Sequence, residues 1–75
     1  MIQELESVVL QVDFPEYGLK QGDVGTVVLV HREGEGDEVE FVTLNGETVT
    51  VVTLMASQVR PIHPREIAHA RLVEA

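Results

Sequence analysis

A small, mainly β fold of about five short strands, curled into a barrel, is the architecture this sequence predicts. Three observations predict it. The first is the stretch from Val39 to Val52, where two β-rich runs flank Asn45-Gly46. Asn and Gly are the residues that best tolerate the positive φ of a tight hairpin turn. The second is Thr26-Val27-Val28-Leu29-Val30, a continuous run dominated by β-branched residues, which pack well on a pleated surface. The third is that neither face of the predicted hairpin is cleanly polar, so both sides carry apolar surface to cover.

Taken in order, the first strand is expected from Ser7 to Val12, ending where Asp13-Phe14-Pro15-Glu16-Tyr17-Gly18 supplies turn chemistry. Gly22-Asp23-Val24-Gly25 then leads into the second strand. Residues His31 to Asp37 form an acidic, glycine-containing loop before the hairpin's two strands. With Asn45 and Gly46 as a two-residue loop, Val42 faces Val49, Phe41 faces Thr50 and Val39 faces Val52. Met55-Ala56-Ser57-Gln58 reads as a tight turn of 3₁₀ type, followed by a brief extended Val59-Arg60-Pro61-Ile62, where proline suits an edge. Residues 64–73 fit either a short helix with Pro64 at its first position or a further strand. A long first loop, a Gly-Asp-x-Gly entry to strand two and a 3₁₀ turn before the last strand are the pattern of a small SH3-like barrel. The chain therefore divides into a barrel domain, 1–62, and a C-terminal extension, 63–75.

With 75 residues there is one domain and a small core. A chain of this size buries roughly 60% of its unfolded surface and often needs disulfides, metal or self-association to be stable. There is no cysteine, which removes the first route. The valines of Val27–Val30 and Val49–Val52 point outward as well as inward, and exposed apolar patches mark interfaces. The expected self-contact is Val28, Val30, Val49 and Val51, helped by Ile67 and Leu72, with the C-terminal segment covering part of the surface and a second copy the rest.

Five Lys and Arg against thirteen Asp and Glu give a formal charge of −8. Phosphate backbones and anionic lipid are unfavourable partners for such a surface, so neither nucleic acid nor membrane is expected. No basic, apolar leader and no long apolar run appear, and the expectation is a cytoplasmic protein. The bland reading of the charge is solubility. The sharper one is a basic protein partner, as for an antitoxin or immunity-like protein, met by Glu33, Glu35, Asp37 and Glu38.

The residues Leu5, Val8-Val9, Asp13-x-Pro15-Glu16-x-Gly18-Leu19, Gly22-x-x-Gly25-Thr26-Val27-Val28, Val39-Glu40-Phe41, Gly46, Leu54 and Val59 form a pattern that resembles a bacterial family catalogued as domain of unknown function 4926. The resemblance runs from about Leu5 to Ile62 and implies no activity or site, since the family has none established.

Chemistry is sparse. Ser7 and Ser57 lie in no Gly-x-Ser-x-Gly motif, and a barrel filled by its own side chains leaves little room for a pocket, so neither catalysis nor a cofactor is expected. His63-x-x-Glu66-x-x-His69 is the one candidate metal set, against the plain reading of solvated polar residues, and it lacks the spacing of two histidines four apart used by zinc proteases. Tyr17, beside Phe14 in the first loop, is a candidate for gripping an extended peptide, against Phe14 simply packing beneath its loop. The function these features predict is a non-enzymatic, self-associating protein-interaction module.

Overall fold

The computed structural model describes residues 2–31 and 36–73. Five strands form one antiparallel sheet: β1 (Ser7–Leu10), β2 (Val24–Val30), β3 (Asp37–Val42), β4 (Thr48–Leu54) and β5 (Val59–Pro61), in the order β4-β3-β2-β1-β5. One-residue-deep alternation sets the inner face. Val8, Leu10, Val27, Val39 and Leu54 have no exposed surface, and Phe41, Val52, Val59 and Leu19 complete the core around them. A single sheet can enclose such a cluster only by curling over it. The curl stops short of closure: β4 and β5 lie at opposite edges, and the sheet is open where a barrel had been expected.

The hairpin joining β3 and β4 keeps the predicted pairs Val39↔Val52 and Phe41↔Thr50, but near the turn the register shifts and Val42 pairs with Thr48 instead of Val49. The turn explains the shift. Gly46 N–H donates to the Thr43 carbonyl at 3.0 Å, Thr43 N–H to the Glu47 carbonyl at 2.8 Å, and Gly46 alone is left-handed at φ 90° while Asn45 is not. This is a three-residue loop ending in a glycine, and the odd residue it introduces is absorbed as a bulge at Val49. Val49 thereby turns partly onto the core. A second register shift lies at Val28, between the pairs Val27↔Val39 and Leu29↔Glu38, and beyond it Val30 also packs partly against the core. The expectation that Val30 and Val49 face outward is corrected by these two bulges.

The two predicted turns are 3₁₀, at Pro15–Tyr17 and Ala56–Gln58. The first ends on Gly18 at φ 71°, whose N–H returns to the Pro15 carbonyl. Residues 63–73 are neither helix nor strand; apart from a turn at Pro64-Arg65 they run irregularly over the surface. Pro64 could start a helix, but ten residues of isolated helix are marginal in water, and no face of this segment is buried. Ile67 and Leu72 are 93% and 91% exposed. Two ion pairs tie the segment down instead, Arg60 to Glu66 and Arg71 to Asp23.

Candidate functional site

Two regions of the surface stand out, the β4 edge and a groove between the first loop and the β3–β4 hairpin. Among the described residues β4 pairs only with β3. Its seven residues, Thr48 to Leu54, include no charge, no proline and no glycine. The opposite edge, β5, has three residues, of which two are Arg60 and Pro61. On the outer face, β3 carries Glu38 and Glu40, and β4 supplies each with a hydroxyl: Thr53 donates to Glu38 at 2.5 Å and Thr48 to Glu40 at 2.8 Å. Val51, paired with Glu40, is 48% exposed on this face.

The groove is lined by Val24 and Val42, both half-exposed, by Leu19 at its base, and by the tail from Ala68 to Val73. Arg71 is its polar anchor. Its Nε donates to Asp23 Oδ1 at 2.8 Å, and its Nη2 donates to Asp23 Oδ2 at 2.5 Å and to the Gly18 carbonyl at 2.8 Å. Asp23 is itself held by the turn it ends: its Oδ2 accepts the Lys20 N–H at 2.8 Å, its own N–H donates to the Lys20 carbonyl at 3.0 Å, and its carbonyl accepts from Leu10 N–H at 2.8 Å. Burial pushes the Asp23 carboxyl up, but the Arg71 hydrogen bond and the Lys20 N–H outweigh it and leave it below its ordinary value.

The residues singled out from sequence fall in different places. Val28 and Val51 are exposed, Val30 and Val49 half-buried, and Ile67 and Leu72 stand free on the tail. Tyr17 is exposed, with its ring 6.0 Å from that of Phe14 at 58°, while Phe14 packs against the core. Of the acidic set, Asp37 and Glu38 are described, and they sit in different surroundings. Asp37 is 7% exposed, on the inner side of the sheet between Val30 and Leu54, which corrects its assignment to a partner surface. Glu38 is engaged by Thr53 and by His31 Nε2 at 2.8 Å, and these hold its carboxyl below the ordinary value. Glu33 and Glu35 lie outside the described residues.

The tail histidines do not share Glu66 as a ligand set. Both Glu66 oxygens accept from Arg60, at 2.7 and 2.6 Å, and Oε1 also accepts the His63 N–H at 2.7 Å. These bonds lower the carboxyl from 4.5 to about 2, the Arg60 side chain contributing most. Among the described residues no three histidine, aspartate or glutamate side chains converge as metal ligands. No histidine hydrogen-bonds to Ser7 or Ser57 among those residues, and no helix is long and apolar enough to cross a membrane.

Sequence reasoning missed the pairing of Asp23 with Arg71. The two are 48 positions apart, and no spacing rule connects them. The available signal was an arginine within a short aliphatic tail of a strongly acidic chain. No curated protein and no solved structure matches this chain. The family model described as Domain of unknown function (DUF4926) matches residues 4–61, all five strands and Asp23 among them but not the tail, and the chain belongs to that family.

Proposed function

We propose that this protein is a non-enzymatic interaction module that self-associates through β4. The observation that carries the reading is the β4 edge: a seven-residue, β-branched, charge-free strand that, among the described residues, is paired on one side only. Such an edge presents a row of backbone donors and acceptors to another strand, and proteins that avoid pairing blunt it with charge or proline. β5 is blunted by Arg60 and Pro61, whereas β4 carries neither and is interrupted only by the bulge at Val49, leaving Thr50 to Leu54 regular.

Electrostatics favours the same place. Two copies, each at −8, repel, so contact is best made where no acid meets its own image. Face-to-face stacking would oppose Glu38 and Glu40, whereas edge pairing need not. An antiparallel β4–β4 pair about a two-fold axis at Val52, within the regular stretch beyond the bulge, sets Val51 against Thr53 and Thr50 against Leu54. No ionised residue lies in that register.

The test is solution mass by light scattering over a dilution series, for the native chain and for Val51→Lys. The native chain is expected at twice its 8.3 kDa mass or more. Val51→Lys, placed on a half-exposed site where the fold tolerates it, is expected to be monomeric. A native chain that is monomeric at every concentration overturns the reading, as does a Val51→Lys variant that associates unchanged.

A further inference from the structure

The Arg71 anchor is a ready-made binding arrangement whose two halves have different standing in the molecule. The receiving half, Gly18 and Asp23, lies in the first loop, inside the family-matched region, and is fixed without the tail's help. Gly18 closes the 3₁₀ turn, and Asp23 is held through three hydrogen bonds with Lys20 and Leu10. The donating half lies in a tail that adds no residue to the core and leaves Leu72 almost wholly exposed. The receiving half is therefore built in advance of its ligand, which reduces the ordering cost of binding.

Its chemistry is selective. A carboxylate offering both oxygens beside a backbone carbonyl suits the planar fork of a guanidinium, which here spends Nε and Nη2 on three acceptors. An ammonium is a point charge and cannot span the same set. Beyond the guanidinium the groove continues along Val24 and Val42, which the tail leaves half-exposed. The resident segment therefore satisfies the polar end and underuses the apolar one. The charge of the domain attracts a basic segment.

We infer that Asp23 and the Gly18 carbonyl form an arginine-reading slot at one end of an apolar groove, that the tail fills it in cis, and that it receives an extended partner segment in which arginine is flanked by large aliphatic residues. The tail is then a built-in competitor. A partner must displace Arg71, whose tether keeps it at high local concentration, so removing Arg71 raises the apparent affinity for an incoming segment. This surface is separate from the β4 edge, and the inference does not depend on self-association.

The experiment uses full-length protein and a synthetic peptide with the sequence of residues 68–73, Ala-His-Ala-Arg-Leu-Val, titrated while the Gly18, Gly22 and Asp23 amide resonances are followed by NMR. The Arg71→Ala chain is expected to bind at least about tenfold more tightly than the native chain, because its slot is vacant. A peptide with lysine in place of arginine is expected to bind about tenfold more weakly to Arg71→Ala. Asp23→Asn in the Arg71→Ala background is expected to abolish binding, with dispersed Val27 and Val39 amides showing the fold intact. If Asp23→Asn unfolds the chain, the arginine-against-lysine comparison on Arg71→Ala carries the same question. Equal binding by native and Arg71→Ala chains overturns the occupancy in cis. No binding by Arg71→Ala overturns the slot. A doubled native mass that Arg71→Ala abolishes and Val51→Lys does not would overturn the assignment to a separate partner, because a second copy's tail would then be the occupant.

Discussion

Gly25 is the position at which one added carbon tests the packing most directly. It sits buried on the inner face of β2, opposite Val8 of β1. A Cβ built there would lie 2.6 Å from Val39 Cγ1, 2.9 Å from Phe41 Cε1 and 3.0 Å from the Glu40 carbonyl oxygen. Ordinary contact begins near 3.5 Å, so three neighbours must retreat at once. Val39 has no free volume to retreat into, Phe41 is nearly as enclosed, and the carbonyl belongs to the β2–β3 ladder. Overpacking of this kind costs about 1–3 kcal/mol. A domain of this size holds roughly 4–11 kcal/mol in all, so Gly25→Ala removes a substantial part. The expected fall in Tm is on the order of 4–20 °C, with a matching drop in urea midpoint at unchanged slope. Gly22→Ala is the control. Its Cβ would meet nothing within 4 Å, but φ there is +97°, so the cost is backbone strain alone, about 1–2 kcal/mol. Only Gly25→Ala should shift the Phe41 ring resonances. A Gly25→Ala variant that melts within about 1 °C of the native chain would refute the reasoning, since it would mean that Val39 and Phe41 do not close over β2.

Two further outcomes are expected. Glu66 is held at about 2, below its ordinary 4.5, so the Arg60–Glu66 clamp on the tail is complete above pH 4.5 and is lost as pH falls through about 2. NMR titration of the His63 amide should show that low midpoint, and a midpoint near 4.5 would mean the clamp does not form. Leu5, at φ 68° and largely exposed, is the one non-glycine described residue in left-handed backbone. Leu5→Gly relieves about 1–2 kcal/mol of that strain and returns about half in unfolded-chain freedom, so urea unfolding should show a net gain of about 0.5–1 kcal/mol, and a loss would contradict the geometry.

Period-two alternation made the strands legible, because a slip of one residue would turn Val39, Phe41 and Val52 to solvent. The 3₁₀ turn before Val59 and the proline on an edge were legible for the same local reasons. What escaped was whatever depends on residues distant in the chain. The bulges at Val28 and Val49 are settled by cross-strand packing, and the hairpin's Asn-Gly pair admits two loop lengths that only the assembled sheet separates. Asp37 reads as loop acid until the partners Val30 and Leu54 draw its backbone into the sheet. The tail carries apolar residues at spacings that suit a helix or a strand, yet neither Ile67 nor Leu72 is buried, and two guanidiniums hold its course. Of the candidate site, the β-branched character of β4 was readable; its place at the edge of the sheet was not, since strand order is absent from any single segment.

The strand order also bears on how the molecule forms during synthesis. β1 is the first strand made, but it lies between β2 and β5, the last. The meander from β1 through β4 can zip as each hairpin closes, whereas the β1–β5 ladder must bring Val8 to Pro61 across nearly the whole domain. Closure over that distance is entropically slow and favours a late step. Until it occurs, the uncharged Ser7–Leu10 strand has an open side, and the short, charged and proline-containing β5 is the piece that seals it.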